Sequence, residues 1–131
     1  MDRLEELRKR LDDIRDMVPG VVGFVIFTHE GFPLLNTIDR TLDGIMDQEI
    51  SLEEYFSAIG AGILNLASTT LDHMGITPME RLVVESRDGY VLIEKIDVDV
   101  SIMVMSDSRP SIGMVKMALR KAIDVYRGLM N

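Results

Sequence analysis

The chain of 131 residues contains no cysteine and no tryptophan, only two histidines (His29 and His73), four prolines, and 5% aromatic residues. Without cysteine there is no disulfide scaffold, thiol redox chemistry, cysteine nucleophile or thiolate metal site. With two histidines, any triad or imidazole metal centre has to use one of them. The sequence also has no run of about 20 apolar residues that would span a bilayer. It is charged from the second residue onward, so no secretory signal peptide is visible and a cytoplasmic protein is expected. What is present suffices for a globule: 47% hydrophobic and 27% charged residues over a length natural for one domain, here residues 1–131.

Bases are scarce as well, 14 Lys and Arg against 22 Asp and Glu, for a formal net charge of −8. The imbalance is local. Residues 1–16 carry six acids and five bases, residues 17–108 fifteen acids and four bases, and residues 109–131 one acid and five bases. An acidic middle opposes nucleic-acid binding, which requires a basic footprint to release counterions. The basic C-terminal stretch reads as a solvated helix face with cations toward the helix C-terminal dipole.

Leu4, Leu7, Leu11, Ile14 and Val18 recur at spacings of three and four, which predicts an amphipathic helix over residues 2–17, closed by Pro19-Gly20. Val21–Thr28 is apolar at every alternate position on both sides, with Phe24 and Ile26 against Val25 and Phe27. Such a strand belongs inside a sheet covered on both faces. His29-Glu30-Gly31 turns the chain into a return strand from Pro33 to Ile38, and Pro33, lacking an N–H, places it at an edge. Residues 39–50, acidic and poorly patterned, read as a loop. Ser51 with Glu54 matches a capping box opening a helix from Leu52 to about His73. Three strands follow, Arg81–Ser86, Tyr90–Lys95 and Val100–Met105. They are joined by Asp88-Gly89, read as the central pair of a type I′ turn, and by Asp97-Val98-Asp99. A polar loop from Ser106 to Ser111 leads into a last helix, from about Ile112 to Leu129, with Ile112, Val115, Leu119, Ala122 and Tyr126 as its apolar stripe. The expected fold is α+β: a five-stranded antiparallel sheet with the long middle helix on one face and the terminal helices on the other.

The middle helix is the informative one, because Tyr55 to Leu71 contains no charged residue. Phe56, Ile59, Ile63, Leu66 and Thr70 form a stripe expected on the sheet, widened by Leu64, Ala67 and Leu71. The opposite side then carries Ala58, Ala61, Gly62, Asn65 and Thr69. A helix without a charged face is expected to be covered on both sides, and a symmetric homodimer through the small residues is the simplest cover.

Reactive constellations are weak. Ser106-Asp107-Ser108-Arg109-Pro110 precedes a helix N-terminus, where anions bind, but no glycine-rich phosphate loop accompanies it, and capping with Pro110 in the first turn is the expected role. Glu94, Asp97 and Asp99 offer carboxylates to a hard cation, yet two Asp in a tight hairpin are ordinary turn formers. Glu85 and Glu94, placed across one hairpin, lack a nucleophile or oxyanion donor. Of the ten Met, core filling is the commoner use, adaptable interaction surfaces the other. No catalytic residue, cofactor or metal ligand is assigned.

The pattern resembles the roadblock family of dynein light-chain-like domains. The residues that carry it are Gly20-Val-Val-Gly-Phe-Val-Ile-Phe with Gly31, Glu80-Arg-Leu-Val-Val-Glu with Asp88-Gly-Tyr-Val-Leu-Ile, and Ser111-Ile-Gly-Met-Val-Lys-Met-Ala-Leu-Arg. With the order of elements, the likeness covers nearly the whole chain, the 39–50 segment standing out as a local addition. The resemblance implies a roadblock/longin-like fold and a homodimer in which middle helices pair and sheets join through the Arg81–Ser86 strand, bringing Arg81 and Val83 into the interface. It also implies a non-enzymatic regulator or scaffold of a small Ras-like GTPase, or a motor light-chain adaptor. A small-molecule sensor is a third reading and an acid–base hydrolase the last.

Overall fold

A computed structural model describes residues 2–38 and 51–131; the loop expected over residues 39–50 lies outside the described residues. In chain order the elements are α1 (Arg3–Met17), β1 (Val21–Thr28), β2 (Pro33–Asn36), α2 (Leu52–Met74), β3 (Leu82–Ser86), β4 (Gly89–Asp97), β5 (Val100–Asp107) and α3 (Ile112–Met130). The strands form one antiparallel sheet in the order β2-β1-β5-β4-β3. Both faces are covered, α2 packing on β1 and β2 while α1 and α3 pack together on the other side.

The alternation in β1 sorts two cores. Phe24 and Ile26 join Leu7, Leu11, Leu92, Ile102 and Leu119 beneath α1 and α3, whereas Val25 and Phe27 join Leu64, Ile93 and Met103 beneath α2. Burying each of these large side chains contributes about 1.5–3 kcal/mol, which is why a strand apolar on both sides belongs near the sheet centre. Leu4, at the start of the α1 stripe, overshoots the sheet and is exposed.

Caps set the helix boundaries. Asp2, Ser51 and Ser111 each accept the backbone N–H three residues on, from Glu5, Glu54 and Met114. Pro110 therefore stands before the cap of α3 and not in its first turn. α2 stops at Gly75, whose φ of +72° lets its N–H reach Asp72 O while Ile76 N–H reaches Leu71 O. The return strand ends at Asn36, two residues short of Ile38, although Thr37 still exchanges bonds with Phe24 through its N–H and its Oγ1.

The β3–β4 hairpin departs from the type I′ reading. Ser86 pairs with Gly89, so the loop residues are Arg87 and Asp88, and no non-glycine residue described has a positive φ. Gly89 serves another purpose: a Cβ there would stand 2.0 Å from the carbonyl oxygen of Ser106 on β5. Glu85 pairs with Tyr90, so Glu85 and Glu94 are not opposite one another.

Candidate interaction surface

The side of α2 that meets the sheet is the small one. Ser57, Gly60, Ala61 and Leu64, spaced i, i+3, i+4, i+7, are its buried residues. Close approach explains the choice, since a Cβ on Gly60 would lie 2.8 Å from Met103 Cε and 2.9 Å from Phe27 Cζ. Phe27 and Met103 raise the floor of the sheet beneath Gly60, while Leu64, with the partly buried Phe56 and Ile63 expected there, fills the core beside them. The β1–β2 turn packs on the same helix, where a Cβ on Gly31 would stand 3.2 Å from Ala58 Cα. Asn36 donates to Glu53, tying the N-terminal turn of α2 to β2.

This rotates α2 relative to the expectation from its apolar stripe. Ile59 and Leu66, expected on the sheet, point outward, Leu66 with 70% of its surface exposed. Ala61, expected on the outer side, is 5% exposed and belongs to the core beneath α2. Asn65 is half-buried, and its Nδ2 donates to His29 O at 3.4 Å. Ala58, Gly62 and Thr69 are exposed, and nothing lies within 4 Å of a Cβ built on Gly62. The outward stripe is thus Tyr55, Ile59, Gly62, Leu66, Thr69 and Thr70, with no charge along it. The reading missed Tyr55, Ile59 and Leu66 because large apolar residues at helical spacing resemble core; the competing i, i+3, i+4, i+7 set of Ser57, Gly60, Ala61 and Leu64 was the available signal.

The apolar surface continues past the helix. Met74, the last residue of α2, and Ile76 after it are exposed, and Val83 and Val84 are exposed on opposite faces of β3. Among the described residues β3 is a sheet edge, with β4 as its single neighbour. An unpaired row of backbone donors and acceptors is a template for another strand, and exposed apolar residues favour association, so this edge is the candidate surface. Arg81, just before β3, is half-buried and ion-paired to Glu94 at 3.3 Å, and its Nε is buried without a hydrogen-bond partner.

The polar candidates are occupied by structural contacts. Glu94 is held by Arg81, and Asp97 Oδ1 accepts the Val98 N–H at 2.8 Å as a turn former. Among the described residues no three His, Asp or Glu side chains cluster as metal ligands. Asp107 accepts the Nε, NH2 and backbone N–H of Arg109, which holds its carboxyl below the usual range, and the hydroxyl of Ser111 is engaged as the α3 cap. His29 and His73 are both exposed. Among the described residues no helix is long and apolar enough to cross a membrane.

Solved structures share this architecture end to end. The chain is similar to the Roadblock/LC7 domain from Streptomyces avermitilis, at 13% identity over 98% of this chain and 97% of that one, with a TM-score of 0.77. The chain has the roadblock/LC7 fold. Myxococcus xanthus MglB superposes with a TM-score of 0.76 at 15% identity, over 94% of this chain and 93% of that one. A structure described as MglB with tetrameric arrangement reaches 0.78 at 11% identity, over 97% and 90%. No family model and no curated protein sequence matches the chain, so the likeness rests on the course of the backbone. Among the described residues of this roadblock fold, the uncharged stripe of α2 and the β3 edge both carry exposed apolar side chains.

Proposed function

We propose that residues 1–131 form one roadblock-like domain that homodimerises and, as a dimer, binds and regulates a small Ras-like GTPase in the cytoplasm without catalysis of its own. The observation that carries the reading is the uncharged outer stripe of α2, with exposed Ile59 and Leu66, on a sheet whose edge strand β3 pairs only with β4 among the described residues. A charged residue on that stripe would keep it wet; the chain places none there from Tyr55 to Leu71. Antiparallel pairing of β3 with a second copy satisfies the edge and brings the two α2 stripes together about one two-fold axis, the isologous arrangement of most homodimers. In this reading the interface comprises Ala58, Gly62, Thr69 and Val83 with Tyr55, Ile59 and Leu66, while Arg81 flanks it and Asn65 holds the β1–β2 turn. Ala61 is not part of it, because it faces the sheet.

Support for self-association also comes from the neighbouring MglB structure named for its tetrameric arrangement. The GTPase partner is supported by the roadblock resemblance of the sequence and by the roadblock/LC7 fold. No arginine finger or other catalytic residue is assigned: regulation is by reshaping the partner. The test is capture of purified Ras-like GTPases loaded with GDP or with a non-hydrolysable GTP analogue. Binding restricted to one nucleotide state supports a switch regulator. Equal binding in both states replaces it with a structural adaptor, and failure to bind any GTPase overturns the partner assignment.

A further inference from the structure

The outer face of α3 is charged against the rest of the chain. The helix carries Lys116, Arg120, Lys121 and Arg127 with a single acid, Asp124, in a protein of net charge −8. All four bases are exposed, and none makes an ion pair among the described residues. The helix dipole accounts only for Arg127, the one base in the last turn. Lys116 and Arg120, at i and i+4, share one stripe, and Met114, Met117 and Lys121, at i, i+3 and i+7, run alongside it. Met114 and Met117 are 40% and 52% exposed. This basic face with apolar side chains among its charges lies on the side of the sheet away from α2.

The complementary surface is on the same molecule, at the end of the sheet where the β1–β2 and β4–β5 turns meet. His29 N–H donates to Asp99 O at 3.1 Å, which holds the two turns side by side. They carry Glu30, Asp97 and Asp99 and no Lys or Arg, and all three acids are exposed. Asp97 Oδ1 is engaged by the Val98 N–H, while Glu30 and Asp99 make no ion pair among the described residues. Phe32 and Val98 project from the same turns, 65% and 96% exposed.

The two surfaces do not meet within one molecule. The Asp97 carboxylate lies near Tyr126, so the turns stand at the C-terminal end of α3. Arg120 and Lys116 precede Tyr126 by about 9 and 15 Å along the helix axis. Contact requires another molecule, and a second copy of this chain presents acids and exposed apolar side chains together where α3 presents bases and methionines.

We propose that the outer face of α3 docks the β1–β2 and β4–β5 turns of a second copy of this chain, Lys116 and Arg120 meeting Glu30 and Asp99 while Met114 and Met117 meet Phe32 and Val98. The two surfaces differ, so the contact is heterologous: each added copy presents the pair again, and the products are rings or open chains. Exposed ion pairs contribute little each, so the contact forms at submillimolar concentration and not at micromolar. It uses neither Ile59, Leu66 nor the β3 edge and stands whether or not the proposed dimer does.

The test is sedimentation velocity of the unmodified chain at submillimolar concentration in low and in high salt. The readout is the gain in mean mass at low salt, counted from the mass at high salt, whether that is one chain or two. A gain that grows with concentration is expected for the unmodified chain and for I59E/L66E. None is expected for K116E/R120E or for E30K/D99K, all exposed positions, with the circular dichroism spectrum unchanged. Equal amounts of these two variants are expected to regain it on mixing, because the acidic α3 of one then meets the basic turns of the other and the remaining pair is unaltered. F32S/V98S is expected to need at least tenfold more protein for the same gain. No salt-sensitive gain in the unmodified chain, a gain that survives K116E/R120E or E30K/D99K, or a mixture that fails to regain it overturns the proposal. A chain without the gain that sediments with phosphatidylglycerol vesicles but not with phosphatidylcholine vesicles reassigns the face to anionic lipid and likewise overturns it.

Discussion

Gly60 and Gly62 sit two residues apart on the same helix, and replacing each by alanine is expected to act with opposite sign. In a helix interior alanine is favoured over glycine by about 1 kcal/mol. At Gly62 a Cβ meets nothing within 4 Å, so the protomer collects that gain in full. At Gly60 the same methyl lands 2.8 Å from Met103 Cε and 2.9 Å from Phe27 Cζ. The thioether end can swing aside, but the Phe27 ring is completely buried and cannot. Overpacking of this kind costs about 1–3 kcal/mol, which cancels the helix gain and leaves a net loss of about 1 kcal/mol. Thermal unfolding at fixed concentration reads this as a shift of roughly 4 °C in opposite directions. The measurement belongs in dilute solution with a weakened interface, for example in a Leu66→Glu background, because in the proposed dimer Gly62 would meet the partner and its substitution would also lower association. If Gly60→Ala stabilises as much as Gly62→Ala, the small face of α2 does not rest on Phe27 and Met103, and the orientation of the helix is refuted.

Ser57 is fully buried on α2 with its Oγ unpartnered, so Ser57→Ala is expected to stabilise by about 1 kcal/mol in urea unfolding. Arg8 and Arg15 of α1 donate to the carbonyls of Asn36 and Thr37 at 3.0 and 2.8 Å; R8A/R15A is expected to lose about 1–2 kcal/mol and to lower the thermal midpoint accordingly. Burial, reinforced by the nearby Asp97 carboxylate, raises the pKa of Tyr126. The unfolded chain therefore surrenders the phenolic proton first, and stability falls as pH climbs above the ordinary tyrosine value of about 10. Tyr126→Phe is expected to flatten that alkaline decline in a pH series of unfolding midpoints.

Most of the architecture was legible because its signals are periodic and local. The two-sided β1, the proline at the start of edge strand β2, the Ser51 cap and the apolar spacing of α1 each follow from neighbouring residues. The rotation of α2 did not, for a physical reason. With no charge between Tyr55 and Leu71, neither side of the helix declares itself wet, and the larger side chains claim the core by default. What decides the matter is the height of the floor at Phe27 and Met103, residues of neighbouring strands that lie far apart in sequence. The same holds at Gly89, which reads as a turn residue in sequence but is required by the approach of the Ser106 carbonyl on β5. Asn65 looked like a polar member of an outer face, and its partner, His29 O, lies 36 residues away. The reversed outer stripe strengthens the association argument, because Ile59 and Leu66 have more apolar area to hide than the alanines assigned to that side.

The most direct test of the central claim is sedimentation equilibrium of the unmodified chain and of I59E/L66E at micromolar concentration. Both substituted side chains are exposed in the protomer, so the variant is expected to keep its fold by circular dichroism. The account predicts the mass of two chains for the unmodified protein and of one chain for the variant, since four buried carboxylates across a two-fold interface are not tolerated. An unmodified protein that sediments as one chain would contradict it, as would a variant that remains a dimer.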